Sequence, residues 1–178
     1  NGAVSHLFFP VQLSGPSAQV VTVSYATSNG TAEAGSDYVP TSDTLSFQPG
    51  ETNATIRVTV FSDFLDEPDE IVIVRLSIPI NSLLDTEKTQ GTGTILDDDP
   101  FPSLSLEDIA VIEGNTGSFK VVFFVNLSVP SGNIVRVDYD IADGTANAET
   151  DYVATPGSLV FERGQTSQSI IVLINSDT

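Results

Sequence analysis

Apolar and polar residues alternate along much of this chain with the two-residue period of a half-buried β-strand. Two stretches of the alternation are equivalent: Phe119, Val121, Phe123, Val125, Leu127, Val137 and Tyr139 in the second half, and Phe9, Val11, Leu13, Val23 and Tyr25 in the first. Further inward faces are predicted for residues 56–60 and 72–76. Clusters of Gly, Pro, Asn and Asp separate these segments, and none has a helical period. The pattern predicts an all-β chain of short strands, folded as two-sheet sandwiches with a core between the sheets.

The two halves of the chain repeat one another. The segment NGTAEAGSDYV, beginning at Asn29, matches DGTANAETDYV, beginning at Asp143, at a separation of 114 positions. The same separation aligns residues 1–64 with residues 115–178 without a gap, and about 26 of the 64 pairs are identical. A repeat of this length is the size of a small domain, longer than a solenoid motif. The sequence therefore predicts two tandem domains.

The phase of the repeat predicts that both domains are incomplete at the chain ends. The first lacks a counterpart of residues 103–114, and the second lacks a counterpart of residues 65–100. We expect a first domain at residues 1–99 without its first strand, a proline-containing linker at residues 100–102, and a second domain at residues 103–178 without its last strands. A window cut from a longer array is favoured over completion by a neighbouring copy, since that copy's own first domain already uses the equivalent strands.

Composition limits the possible partners. The chain has 24 acidic and 6 basic side chains and a formal net charge of -18. This balance argues against nucleic acid or an anionic membrane surface as a partner, because phosphate binding requires clustered Lys and Arg. No cysteine is present for a disulfide or a thiolate metal site, and no apolar stretch is long enough for a membrane span. Cations are the partner that the charge favours.

Five motifs, in order and spacing, give the chain a family resemblance. They are DGTA, DY, GSLVFERG, DEPDEIVIVRLS and the closing TILDDD. Together they resemble the Calx-β domain, which occurs in tandem in large extracellular proteins and in the regulatory loop of sodium–calcium exchangers. The resemblance covers nearly the whole chain. It implies tandem immunoglobulin-like antiparallel sandwiches that bind calcium through loops at one end.

The resemblance also implies a set of calcium ligands. Those of the first domain are Asp37, Asp63, Glu67, Glu70, Asp97, Asp98 and Asp99, and those of the second are Glu113, Asp151 and Asp177. Calcium takes six to eight oxygens at about 2.3–2.6 Å, so carboxylates from several loops suit it. Where family members carry further acids, this chain has Ser62 and Phe64. Each such change removes a possible oxygen ligand.

The acidic run at residues 97–99 lies directly before Pro100, Phe101 and Pro102. The prolines restrict the connecting backbone, because each fixes its own φ and biases the preceding residue toward extended geometry. Calcium bound at the acidic run would hold this connection as well as the loops. We therefore expect calcium to stiffen the junction between the domains.

No motif indicates an enzyme. The Gly30-Thr31-Ala32 and Gly144-Thr145-Ala146 elements are interpreted as turns without direct chemistry. Tyr38 and Tyr152 are interpreted as packing residues. His6 is the single histidine, and the serines have no positioned base for acyl transfer.

The favoured function is a calcium-binding structural or adhesion module of a large extracellular or cell-surface protein, with protein partners in the same array or in neighbouring chains. One alternative is a subunit of an extracellular filament or matrix, packed through outward-facing Ile71 and Ile73. The other alternative is a regulatory calcium-sensor domain pair of a membrane transporter.

Overall fold

The computed structural model describes residues 4–148 and 150–176, which form twelve β-strands and, within these ranges, no helix. The first six strands are β1 (Val4–Gln12), β2 (Val21–Asn29), β3 (Ser42–Phe47), β4 (Asn53–Phe61), β5 (Glu70–Ile80) and β6 (Gln90–Ile95). The other six are β7 (Leu104–Leu106), β8 (Ser118–Leu127), β9 (Val135–Tyr139), β10 (Tyr152–Val153), β11 (Gly157–Phe161) and β12 (Ser167–Asn175). All strand pairs within the sheets are antiparallel.

Backbone contacts divide the chain into two compact units. Unit 1 comprises Asn1–Asp63 and Pro68–Asp97, and unit 2 comprises Phe64–Glu67 and Asp98–Thr178. Within the described residues, no helix is long and apolar enough to cross a membrane.

Unit 1 is a sandwich of two sheets. One sheet pairs β1 with β4, and the other has the order β3-β2-β5-β6. The core lies between them, since buried Ile56 and Val58 of β4 cluster with buried Val72 and Val74 of β5. These are the inward faces that the two-residue period predicts. Ile71, on the opposite face of β5, is 37% exposed.

Two glycines on β6 let the sheets of unit 1 approach closely. A Cβ added at Gly93 would lie 2.7 Å from Cζ of Phe9 and 2.9 Å from Cδ1 of Leu7. At Gly91 it would lie 3.1 Å from Cδ1 of Phe9. The Phe9 ring therefore occupies the space that side chains at these positions would take.

Unit 2 repeats the same plan with a smaller second sheet. Its first sheet has the order β10-β12-β8-β7, and its second contains β11 and β9. Buried residues of β8 and β12 cluster with Leu159 and Phe161 of β11. β8, β9, β11 and β12 follow their counterparts in unit 1 at the repeat separation of 114 positions. The prediction of an all-β, immunoglobulin-like sandwich fold is confirmed.

The smaller sheet leaves the core of unit 2 less covered than that of unit 1. Ile56 is 1% exposed, whereas Ile170, the same residue type at the equivalent position, is 8% exposed. Val58 and its equivalent Val172 are 0% and 6% exposed. The described part of unit 2 has no strand equivalent to β5 or β6 beside β9, which accounts for the difference.

Candidate metal centre

Three carboxylates from two loops come together in the structure. One oxygen from each of Asp37, Glu67 and Glu70 lies within 4.8 Å of the other two, and all three residues are half-buried. Asp37 lies between β2 and β3, Glu67 lies in the loop before β5, and Glu70 is the first residue of β5. All three belong to the ligand set that the family resemblance implies.

Asp37 is oriented by the backbone of its own loop. Its Oδ2 accepts a hydrogen bond from the Glu33 amide at 2.6 Å, and its amide donates to the Glu33 carbonyl at 3.0 Å. Its carbonyl accepts the Phe61 amide at 2.9 Å, at the end of β4. A carboxylate has two oxygens and about four lone-pair sites, so one bond to Glu33 orients it and leaves capacity for a cation.

The turn after β2 forms hydrogen bonds to the backbone of Ile71, the residue after Glu70. The amides of Gly30 and Ala32 both donate to the Ile71 carbonyl at 3.1 Å, and the Ile71 amide donates to Thr31 Oγ1 at 2.8 Å. A Cβ at Gly30 would lie 2.4 Å from the Ile71 carbonyl oxygen, so the close approach requires glycine. The sequence predicts only a turn here. In the structure that turn has a specific partner, the start of β5.

Asn29 and Tyr38 close the loop that carries Asp37. The Tyr38 hydroxyl donates to Asn29 Oδ1 at 2.6 Å, and the Ala34 amide donates to the same oxygen at 3.1 Å. Tyr38 is 1% exposed and belongs to the core of unit 1. It is therefore a packing residue, as predicted, and in addition it holds the loop through its hydroxyl.

Glu67 has a cationic partner within its own unit, unit 2. Its carboxylate forms an ion pair with the Arg163 guanidinium, and the Asp66 carbonyl beside it accepts the Gly132 amide at 3.0 Å. The Arg163 side chain is 67% exposed. A solvent-screened pair of this kind contributes about 1 kcal/mol or less, which a divalent ion can outweigh.

The other predicted ligands of the first domain are not members of the three-carboxylate group. These are Asp63, Asp97, Asp98 and Asp99. The Asp97 amide donates to Asp69 Oδ1 at 3.0 Å, which ties the acidic run to the loop before β5. Asp69, which lies in LDEPDE beside two predicted ligands, was not among the predicted site residues. The assignment of the four aspartates as ligands stays a prediction.

The loop of Asp151 in unit 2 has the same internal bonds as the loop of Asp37. Asp151 Oδ2 accepts the Asn147 amide at 2.8 Å, and its carbonyl accepts the Asn175 amide at 2.9 Å. Glu113 is exposed, and its carbonyl accepts the Ser176 hydroxyl at 2.6 Å. Asp177 lies outside the described residues. These three ligand assignments also stay predictions.

The hydrogen bond that closes this second loop has a charged acceptor, the Asp143 carboxylate. The Tyr152 hydroxyl and the Ala148 amide both donate to Asp143 Oδ1 at 2.7 Å. The hydrogen bond to Asp143 raises the pKa of Tyr152 to about 12, with smaller contributions from burial and from the nearby carboxylates. The same bond, with that from Ala148, lowers the pKa of Asp143. Asp143 stands where the first loop has neutral Asn29.

The spacing of the three carboxylates is compatible with one bound calcium ion. At about 2.3–2.6 Å per bond, two oxygens that ligate one calcium ion lie at most about 4.6–5.2 Å apart. Oxygens within 4.8 Å of one another can share one calcium ion. Without a cation, two carboxylate charges about 4 Å apart repel by about 4 kcal/mol at an effective dielectric of 20. A divalent ion reverses the sign of that interaction.

A family model for the Calx-beta domain matches the chain twice, at residues 4–99 and 97–178. The chain belongs to the Calx-beta domain family. The family predicted from the five motifs is therefore confirmed.

Related proteins place this Calx-beta pair near sodium/calcium exchangers. It is 29% identical to sodium/calcium exchanger 1 of Rattus norvegicus over 94% of this chain and 19% of the exchanger. It is 32% identical to the sodium/calcium exchanger Calx of Drosophila melanogaster over 86% of this chain and 16% of that protein. The Calx-beta pair thus spans less than a fifth of the length of these exchangers.

Solved structures also match most of the chain. A crystal structure of CBD12 from CALX1.2 matches with a TM-score of 0.51 and 28% identity, covering 97% of this chain and 69% of that one. A crystal structure of the calcium binding domain CBD12 of CALX1.1 also has a TM-score of 0.51 and 28% identity, covering 93% and 67%. Calcium, the predicted cofactor, is confirmed as the ion of these related domains, one of which is described as a calcium binding domain.

These comparisons correct the predicted location. An extracellular or cell-surface protein was expected, and this is wrong, because the relatives that cover most of the chain are exchangers, which are membrane transporters. The adhesion and filament interpretations lose their support for the same reason. The regulatory alternative fits the Calx-beta pair better than the favoured interpretation does.

Proposed function

We infer that this Calx-beta pair is the calcium-sensing region of a membrane transporter related to the sodium/calcium exchangers. Its first domain binds Ca²⁺ through Asp37, Glu67 and Glu70, and the transporter's membrane-embedded part is the partner that responds. The chain itself carries out no catalysis. The observation that supports this proposal best is the convergence of the three carboxylates, in a chain related to exchangers over most of its length.

Charge supplies the sensing mechanism. With no ion bound, the repulsion among the three carboxylates opposes the arrangement of the two loops that carry them. Calcium binding stabilises that arrangement by RT ln(1 + [Ca²⁺]/Kd), so its effect appears as the calcium concentration passes the dissociation constant. The ordered population of the loops then reports the calcium concentration.

The expected stiffening of the junction is a separate part of the proposal. The bond from the Asp97 amide to Asp69 supports it, because it links the residues before Pro100 to the loop before β5. Small-angle scattering of the 178-residue chain, with a chelator and with calcium, measures its maximum dimension and flexibility. An unchanged profile would refute the stiffening and leave the binding site unaffected.

Calorimetric titration with calcium tests the binding. We expect the chain to bind calcium and Asp37→Asn to weaken binding by about tenfold or more, since it replaces a charged oxygen ligand. The matched control is Asp43→Asn, which removes the same charge from an exposed position on β3. The proposal is wrong if the chain takes up no calcium at millimolar concentration, or if both variants bind equally.

A further inference from the structure

We propose that Thr31 and Tyr38 are positioning residues, which hold Asp37 and Glu70 at the separation that calcium binding requires. The inference rests on the proposed function, because it concerns the same site. Neither residue is an expected ligand. Their roles follow from the hydrogen bonds that each makes within unit 1.

Thr31 acts on Glu70 through a peptide bond. Its Oγ1 accepts the Ile71 amide at 2.8 Å, and that amide lies in the same planar unit as the Glu70 carbonyl. The Gly30 and Ala32 amides fix the carbonyl of Ile71 from the other side. The backbone that carries the Glu70 side chain is therefore held by the turn after β2.

Tyr38 acts on Asp37 through the other end of the same loop. Its ring is buried in the core of unit 1, and its hydroxyl bonds to Asn29, the last residue of β2. The Ala34 amide shares the Asn29 oxygen, and the adjacent Glu33 amide bonds to Asp37 Oδ2. One loop, residues 29–38, thus connects the supports of both carboxylates.

These contacts add little to the pairing that holds the sheet. β2 and β5 are already joined along their length, from Thr22 opposite Ile80 to Asn29 opposite Val72. Loss of one hydroxyl at the loop should leave this pairing in place and loosen the geometry of the site. Residues that orient metal ligands typically change metal affinity by about 10–100-fold when mutated.

Unit 2 supplies an internal comparison. Its loop has the same closing bond, from Tyr152 to Asp143, and the same Gly144-Thr145-Ala146 sequence. A Cβ at Gly144 would have no neighbour within 4 Å, whereas one at Gly30 would meet Ile71. Within the described residues, the turn in unit 2 therefore makes no close approach to a strand at Gly144 like the approach of Gly30 to β5.

The test is calcium titration of the 178-residue chain and of Thr31→Val, with the melting temperature of each measured without calcium. We expect Thr31→Val to bind calcium about 10–100-fold more weakly than the wild type. Thr31→Ser keeps the acceptor oxygen and should retain the wild-type affinity. Thr145→Val makes the same change in unit 2 and should leave the affinity of the first domain unchanged.

A merely structural role has a different signature. It lowers the melting temperature without changing the calcium affinity of the folded protein, and that result would overturn the inference. If Thr31→Val does not fold, Tyr38→Phe removes the other hydroxyl and decides by the same criterion. Absence of calcium binding by the wild type would refute the proposed function and this inference together. Wild-type binding with unchanged affinity in the variants would refute the inference alone.

Discussion

The Tyr152 hydroxyl donates a hydrogen bond to the Asp143 carboxylate, whereas the equivalent Tyr38 hydroxyl donates to the side-chain amide oxygen of Asn29. The two bonds are 2.7 Å and 2.6 Å long, and each closes the loop that carries a candidate calcium ligand. The loop conformation is therefore retained when its acceptor is charged. In the second domain, the charged acceptor couples this loop to the titration of Tyr152.

The Asp143 carboxylate predicts a raised pKa for Tyr152. Tyr152 should titrate near pH 12 in the folded chain, because its ionisation would place a second negative charge against Asp143. Asp143→Asn should return its pKa toward the ordinary value of 10.0, and Tyr152→Phe should remove the late step. Ultraviolet difference spectroscopy of the tyrosinate band measures this. A wild-type titration with every tyrosine near pH 10 would contradict the assignment.

The hydrogen-bonded pair of Tyr152 and Asp143 also makes the free energy of unfolding depend on pH. Because folding raises the pKa of Tyr152, its contribution is complete below pH 10 and is lost as the pH rises from 10 toward 12. Because folding lowers the pKa of Asp143, its contribution is present above its ordinary pKa of 3.8 and is lost as the pH falls below that value. Tyr152→Phe should therefore flatten the alkaline limb of a stability profile measured by urea unfolding.

Arg163 should compete with calcium for Glu67. Arg163→Gln removes the paired guanidinium, and we expect calcium to bind about two- to fivefold more tightly, the range that a screened ion pair of about 0.5–1 kcal/mol allows. Arg136→Gln is the control, since it removes the same charge from an exposed position on β9. Equal changes in both variants would show a general effect of net charge and no specific competition.

Gly93 should tolerate no side chain. In Gly93→Ala the added methyl would lie 2.7 Å from the Phe9 ring, and overpacking of this kind costs about 1–3 kcal/mol. Gly15→Ala is the control, because a Cβ there has no neighbour within 4 Å. Urea unfolding should separate the two variants. If Gly93→Ala is as stable as Gly15→Ala, the close approach of β6 to Phe9 is not present in solution.

Substitution of Ile78 by asparagine should stabilise the folded chain. The φ of 47° at Ile78 lies in the left-handed region, which costs a residue with a Cβ about 1–2 kcal/mol, and Ile78 is 72% exposed with little packing to lose. Ile78→Asn should raise the free energy of unfolding by about 1 kcal/mol, because Asn tolerates this conformation better. Ile80→Asn, at an exposed strand position, should not. A destabilised Ile78→Asn variant would argue against the strain.

The strands were predictable because each depends on a short-range pattern. Ile56, Val58 and Val60 alternate with polar residues, and this period alone indicates which face of β4 is buried. The repeat added independent support, since the same period recurs 114 positions later. Asp37, Glu67 and Glu70 were expected as ligands from the family resemblance, and the structure brings them together.

The supporting contacts of the site were not predictable in the same way. The bond between Thr31 and Ile71 joins residues 40 positions apart, and no local pattern distinguishes the partner of a threonine hydroxyl. The ion pair between Glu67 and Arg163 spans 96 positions. Such contacts depend on tertiary packing, which sequence periodicity does not encode.

Locating the bound ion tests the central claim most directly. We would crystallise the 178-residue chain with calcium and map the ion by its anomalous scattering. The account predicts a calcium ion about 2.3–2.6 Å from carboxylate oxygens of Asp37, Glu67 and Glu70. An ion bound elsewhere with none of these three carboxylates as ligands, or no ion at saturating calcium, would contradict it.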